Sequence, residues 1–286
     1  MCKAPHPARW GARWPSAPTG AWQAMSQAAA SKRRWRMKPW QRCAMVSRAG
    51  WTMAKAAKCW TSSSAAGGRI GVLVWPVPDL GEHLARWRNA RQHRRAFHVA
   101  LDRASGMVRY LAHAQDARAG EFVRTHRPPL RLVLVGADPS LLALVSLASQ
   151  MGIEVRVLRP HGPGEPPPGL APEHYDRRAL GDALRDLHLD ADSALYSLAH
   201  DAEIDLQVAR RGLASPVACI GILGSRQKRE GRLQALRALG YSDTSLARLR
   251  LPAGWRMGRS SPHTIALGVI AEAMQAVADV QAVTAS

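Results

Sequence analysis

The segment Cys219-Ile220-Gly221-Ile222-Leu223-Gly224-Ser225-Arg226-Gln227-Lys228-Arg229 places two glycines, a hydroxyl and three cations in one short run. Glycine permits close backbone approach and unusual dihedrals, so Gly221 and Gly224 suit a sharp corner. Ser225 suits a helix N-cap, its oxygen accepting a free helical N–H. Arg226, Lys228 and Arg229 would then crowd the end of the helix dipole that favours anions, and cations placed there need a compensating partner. The chemistry that follows is anion binding, phosphate or carboxylate, at a helix N-terminus. A solvated basic first turn behind a glycine corner is the plainer alternative.

Two other stretches could carry chemistry. Gly136-Ala137-Asp138-Pro139-Ser140 follows an apolar run, as the phosphate-binding turn of a dinucleotide fold would. Gly136, Ala137 and Ser140 could offer backbone and hydroxyl contacts, but Asp138 stands where a second glycine is wanted and brings negative charge toward any phosphate. Arg159 stands at the end of the next apolar run, where an acid would hold ribose hydroxyls. His200-Asp201, two residues past a third run, could form an acid-base dyad or an ordinary surface pair. A nucleophile elbow, a P-loop and a zinc-protease helix are all missing from the sequence. Cys2, Cys43, Cys59 and Cys219 form no C-x-x-C pair and have no histidine at zinc-ligand spacing, so no metal site is expected. So few cysteines in a long chain fit a reducing cytoplasm.

These stretches need a scaffold that presents strand ends side by side. From Leu130 onward the pattern alternates: strand Leu130 to Val135, helix Ser140 to Met151, strand Ile153 to Leu158, then a Pro- and Gly-rich loop from Pro160 to Pro172. Helix Arg178 to Leu187, strand Ser193 to Leu198, helix Glu203 to Leu213, strand Val217 to Leu223 and helix Ser225 to Leu239 continue it. The last helix opens at Ser261-Pro262, a serine cap with proline at the first helical position, and runs to about Asp279 with Ile265, Val269, Ile270 and Met274 facing the core. Such alternation implies parallel βαβ units, with ligands at the carboxyl ends of the strands. The expected class is α/β, a Rossmann-like parallel sheet with helices on both faces over 130–280. Ahead of it, strand Ile70 to Trp75, a helix over 80–93 with Leu80, Leu84 and Trp87 on one side, and a hairpin of Ala96 to Leu101 and Met107 to Leu111 read as the remnant of an α+β domain over 67–127.

The formal charge is +19, but residues 1–78 hold thirteen Lys or Arg and no acid, whereas the remaining 208 hold 27 cations against 21 acids. The excess is therefore mostly N-terminal, and nucleic acid is not the expected partner of the whole chain. Seven of the ten tryptophans also lie in the first 62 residues, without helix or strand periodicity, so no fold is expected there. Aromatics among cations could stack on single-stranded nucleic acid, and an acid-free start could be a transit peptide. The reading favoured is that residues 1–66 are a GC-rich gene read out of frame, since the composition changes abruptly at Ala65-Ala66-Gly67-Gly68-Arg69. Apolar stretches are interrupted before the length a membrane span needs.

The corner from Cys219 to Lys228 resembles the YIGLLGSRRK signature of the XdhC/CoxI family, accessory proteins of xanthine and carbon monoxide dehydrogenases. Leu134-Val135-Gly136-Ala137-Asp138 resembles that family's GAGH turn, and His200-Asp201-Ala202-Glu203-Ile204-Asp205 its THDxxxD segment. Leu251-Pro252-Ala253-Gly254, then Ser261-Pro262-His263-Thr264-Ile265-Ala266 to Ala271-Glu272, are similar to its C-terminal helix motif. The segments occur in the family's order, from about Gly67 to Val280.

The resemblance implies a Rossmann-like domain that binds molybdenum cofactor (molybdopterin), promotes its sulfuration and hands it to an apo-enzyme of the xanthine dehydrogenase family. It implies an insertion chaperone rather than an enzyme, cytoplasmic and homodimeric, with a cysteine desulfurase as a further partner. The expected cofactor-binding residues are Gly136, Ala137, Ser140, His200, Asp201, Gly221, Gly224, Ser225 and Arg226. The chain departs from the family in lacking its Gly-Gly-Cys-x-Glu motif, and Ala66-Gly67-Gly68-Arg69 replaces a cysteine, so the function could be impaired. A different class remains open: an NAD(P)-linked oxidoreductase in which His200 is acid or base and Arg159 pairs a 2′-phosphate.

Overall fold

The computed structural model describes residues 58–63 and 69–283, which fall into two compact units divided between Trp75 and Pro76. The expectations for residues 1–57 and for the Ala66-Gly67-Gly68 junction lie outside the described residues. In the first unit, β1 (Lys58–Ser63) pairs antiparallel with β2 (Arg69–Val74), Lys58 opposite Val74 and Ser63 opposite Arg69. This corrects the expectation that nothing folds before residue 63. Trp60 and Thr61 are residue types that suit a pleated ladder. The division also assigns β2 to a different unit from the helix that follows it.

The second unit begins with α1 (Leu80–Gln92), capped by Asp79, whose side chain accepts from Glu82 N at 2.9 Å. Leu84 and Trp87 are half-buried as expected, but Leu80 is exposed, because it lies in the first turn before the helix meets the sheet. The hairpin is β3 (Phe97–Asp102) and β4 (Val108–Leu111), closed by the Asp102 carboxylate accepting from Ala104 N and Ser105 N. A strand missed in the sequence, β5 (Glu121–His126), pairs on the other side of β3 and completes a three-stranded antiparallel sheet. Its alternation is weak, all six residues being exposed or half-buried.

The parallel sheet comprises β6 (Arg131–Gly136), β7 (Glu154–Leu158), β8 (Tyr175–Asp176), β9 (Ser193–Leu198), β10 (Cys219–Ile222) and β11 (Leu249–Arg250). Their order across the sheet is β11-β10-β9-β6-β7-β8. The chain thus winds outward from β6 through β7 to β8, then returns beside β6 and winds the other way, which is the doubly wound dinucleotide-fold order. β6 and β9 are buried along their whole lengths, as parallel strands covered on both faces must be. One face packs Leu132, Leu134, Tyr196 and Cys219 against α2 (Ser140–Gln150) and α7 (Pro262–Val283). The other packs Val133, Val135, Leu195 and Ile220 against α3 (Leu180–Arg185) and α4 (Ala202–Leu213), and a smaller cluster seats α5 (Arg229–Ala238) and α6 (Asp243–Leu246). The short β8 and β11 were missed because two residues have no period.

Ser261 caps α7 as expected, accepting from Thr264 N at 3.2 Å. Its buried stripe is Ala266, Val269, Ile270, Ala273, Ala276 and Val277; Met274, placed in the core by the sequence reading, is instead exposed, since it falls about 40° past Ile270 at 100° per residue. At 22 residues, α7 also exceeds the expected limit on apolar length and could cross a membrane by length and composition, but this buried stripe makes it a core helix here.

Candidate functional site

The reversal of winding occurs between β6 and β9, and the register places Gly136 opposite Leu198 there. Gly136 has φ +122°, and a Cβ on it would lie 2.6 Å from the Leu198 carbonyl carbon and 2.7 Å from Ala199 N. Only glycine allows the two strand ends to approach this closely before diverging. The expected turn residues therefore line a crevice at the switch point: Gly136 is buried beneath it and Ala137 exposed at its rim.

The loops on either side of the crevice are joined by one hydrogen bond. His200 Nε2 donates to Asp138 Oδ2 at 2.6 Å, across 62 positions of sequence. A carboxylate only accepts, so Nε2 carries the proton of this bond, and whenever the ring is neutral Nδ1 is an acceptor. The other Asp138 oxygen accepts from Ser140 N at 2.7 Å and from Ser140 Oγ. Burial pushes the Asp138 carboxyl up, but the hydrogen bonds from Ser140 and His200 outweigh it and hold the group below the ordinary carboxylate range. His200 itself adopts φ +57°, a left-handed conformation that costs a non-glycine residue about 1–2 kcal/mol.

This geometry corrects the dyad expected from adjacency. The partner of His200 is Asp138, not Asp201, whose carboxylate turns back to cap α4 by accepting from Glu203 N and Ile204 N. Ser140, completely buried, is likewise occupied with Asp138. Both are supports of the crevice wall.

The glycine corner lies one strand away from the switch point, at the end of β10, which is next to the short edge strand rather than central. Gly221 is buried within β10, and a Cβ there would lie 2.1 Å from the Tyr196 ring, so its smallness serves packing. Ser225 makes no side-chain capping bond, contrary to expectation. A single 3-10 turn, Arg226–Lys228, intervenes before α5 begins at Arg229, and this displaces the serine from the α-helical N–H groups. Ser225 and Arg226 are exposed, beside Gly224.

Beneath the corner is an ion pair that residue types alone did not reveal. Asp205, in the first turn of α4, is buried and pairs with Arg232 of α5; Ser197 Oγ donates to its Oδ1 at 2.6 Å. Burial raises the Asp205 carboxyl, against the opposing pull of Ser197 and Arg232. A Cβ on Gly224 would lie 2.7 Å from Arg232 Nη1, so the guanidinium supports the corner from below. Asp205 ends the His200–Asp205 segment that resembles a family motif; Arg232 had no such signal. Cys219, buried under the same strand, has its thiol pushed up to about 11 by burial, which keeps it an inert packing group. A cavity of about 650 Å³, lined by Arg88, Arg91, Ile153 and His174, lies by the start of β7, at the opposite end of the strand from the crevice.

The comparisons with known proteins agree with this architecture. The XdhC Rossmann domain matches residues 132–273. In Escherichia coli (strain K12), the uncharacterized protein YqeB is 28% identical over 158 residues, 54% of this chain and 28% of YqeB. The molybdenum cofactor insertion chaperone PaoD of the same organism is 29% identical over 146 residues, 51% of this chain and 40% of PaoD. The chain thus spans well under half the length of either relative. A crystal structure of a xanthine dehydrogenase from Bacillus halodurans shares the fold, with TM-score 0.55 and 21% identity over 74% of this chain and 69% of that one. Residues 132–273, a doubly wound sheet with its glycine turn at the switch point, form an XdhC Rossmann domain.

Proposed function

We propose that the protein is a cytoplasmic maturation factor. It receives molybdenum cofactor at the switch-point crevice, holds it while a cysteine desulfurase supplies sulfur, and delivers it to a xanthine or carbon monoxide dehydrogenase-type apo-enzyme. The observation that carries this reading is the crevice itself: Gly136 and Ala137, His200, and Ser225-Arg226 are presented from three strand ends in a chain similar to a cofactor insertion chaperone. Nothing in the reading requires the chain to be a catalyst, and two copies act together as a homodimer.

The residues divide into contacts and supports. Ala137, the backbone at Gly136 and Gly224, the Nδ1 face of His200, Ser225 and Arg226 meet the cargo. Ser140, Asp201 and Gly221 hold the walls, because their side chains or their lack of one are already used. An oxidoreductase reading has less support, since the Asp138 carboxylate faces the place a pyrophosphate would approach.

The test uses Arg226→Ala and Arg229→Ala in the full chain, with molybdenum cofactor affinity and melting temperature measured side by side. A charge-assisted contact is worth roughly 1.5–3 kcal/mol, so Arg226→Ala should weaken binding by about 10- to 150-fold with the melting temperature unchanged. Arg229, at the start of α5 and farther from the corner, should matter little. Equal affinities for both variants and the parent overturn the assignment of the corner. Full activity of the partner dehydrogenase after deletion of this gene overturns the maturation role.

A further inference from the structure

We propose that Arg159 recognises a phosphate monoester at the β7 end of the crevice, so that the ligand spans the switch point between two cations, Arg159 on one side and Arg226 on the other. This rests on the crevice being the binding site. The register pairs Val135 with Leu158, which sets Arg159 level with Gly136 on the neighbouring strand end. Adjacent strands lie about 4.8 Å apart, so Arg159 borders the glycine turn directly, while His200 borders it from the β9 side. Dinucleotide folds put an acid at this strand end to hold ribose hydroxyls; a cation here selects the opposite charge.

The side chain is prepared for that task. Its stem runs under Gly162, where a Cβ would lie 2.7 Å from Arg159 Cγ and 2.8 Å from Cδ, and 2.5 Å from Tyr175 Oη. The loop over it is fixed: Tyr175 Oη donates to Pro163 O at 3.1 Å, Arg177 Nε to Gly162 O at 2.9 Å, and Gly162 N to Arg159 O at 3.0 Å. Among the described residues the Arg159 guanidinium has no hydrogen-bond or ion-pair partner. The nearest acid along the sheet, Asp176, is occupied by Arg178 at 2.7 Å, and Asp138 by Ser140 and His200. A held stem with a free planar fork is the arrangement that binds phosphate oxygens in pairs. The carboxylate of Asp138, between the two cations, keeps the anionic groups at the ends of the ligand.

The experiment titrates inorganic phosphate into the full chain and follows backbone amide NMR signals at Gly162 and Ser225. Phosphate should shift both. Arg159→Ala should weaken the Gly162 response by about 10-fold or more and leave Ser225 unaffected, Arg159→Lys should retain part of it, and Gly162→Ala should weaken it by displacing the stem. An unshifted Gly162 in the parent, or a response that survives Arg159→Ala, overturns the proposal. A second arm measures molybdenum cofactor, NADPH and NADH with the parent and Arg159→Ala. Loss of cofactor affinity in the variant identifies the cofactor's terminal phosphate as the group bound; a preference for NADPH that the variant abolishes identifies a 2′-phosphate instead and retires the maturation reading while supporting Arg159. Cofactor affinity equal in parent and variant overturns the role of Arg159 and leaves that reading standing.

Discussion

At the amino ends of the parallel strands, buried and half-buried arginines are engaged by acids and carbonyls; at the carboxyl ends Arg178 and Arg232 are paired with acids, but Arg159 and Arg226 are free among the described residues. Arg94, with only 9% of its side chain exposed, donates to Asp190 and to Glu154 at 2.6 Å each and to Pro129 O at 3.0 Å. Arg131, at the start of β6, shares the same two acids. Arg248 donates to the carbonyls of Leu213, Ser215 and Val217, and Arg211 to those of Leu184 and Leu187. These contacts join the segment that follows α1 and the helix ends to the floor of the sheet. At the other end, Arg159 and Arg226 have no such partners among the described residues, and the acid between them is restrained. A buried cation with all its donors used can only hold the fold, whereas an exposed or half-buried one with free donors can meet a ligand.

The largest test of this contrast is Arg94→Met, which keeps the stem and removes the charge. Asp190 and Glu154 would lose the nearer of their two shared cations in a mostly buried site, Arg131 remaining at longer range, and removing one side of such a pair costs up to about 3–5 kcal/mol. Urea unfolding should show that loss, while phosphate binding per folded molecule stays unchanged. A cost under about 1 kcal/mol would mean the floor is as solvated as an ordinary surface pair and would erase the contrast. A smaller effect is expected from Gly221→Ala. The new methyl meets the Tyr196 ring, and overpacking of this kind costs about 1–3 kcal/mol. Ligand affinity should hold even as the melting temperature falls; reduced affinity with unchanged stability would return Gly221 to the role of a ligand contact.

The contrast between the two ends also explains what could be read from residues alone. Strand Ser193–Leu198 and the helices flanking β6 follow from apolar runs and breakers, which are local signals, and the crevice follows from their alternation. The Gly136 turn was legible because a strand end followed by glycine has one common use. The Asp138–His200 bond was not, since it joins residues that only the reversal of winding brings together. The Arg94 network is hidden for the same reason: its acids lie 60 and 96 positions away. Ser225 was misread as a cap because a 3-10 turn and an α-helix share the same entry chemistry, and only the backbone distinguishes them. Asp205 came into view through the family resemblance, and Arg232 through packing alone.

The smallest expected effect is a difference in acid sensitivity between the ends. Asp138 and Asp190 both sit below the ordinary carboxylate range, burial raising each and hydrogen bonds outweighing it, from Ser140 and His200 in one case and from Arg94 and Ser193 in the other. For a carboxyl depressed by folding, the stabilisation is complete above its unfolded pKa of about 3.9 and is lost as pH falls through the lower folded value. Both contributions therefore disappear below about pH 4. What differs is the consequence. Protonating Asp190 leaves Arg94 and Arg131 buried with one acid fewer, so it should trigger global unfolding; protonating Asp138 frees the exposed His200 ring, which water can solvate, a change worth no more than about 1 kcal/mol. Asp138→Asn should thus leave the acid-unfolding midpoint in place while removing the low-pH step from the His200 ring signals, and Asp190→Asn should move the midpoint to higher pH. If Asp138→Asn shifts the midpoint as far as Asp190→Asn does, the crevice is part of the structural frame, and its polar groups are not free to serve a ligand.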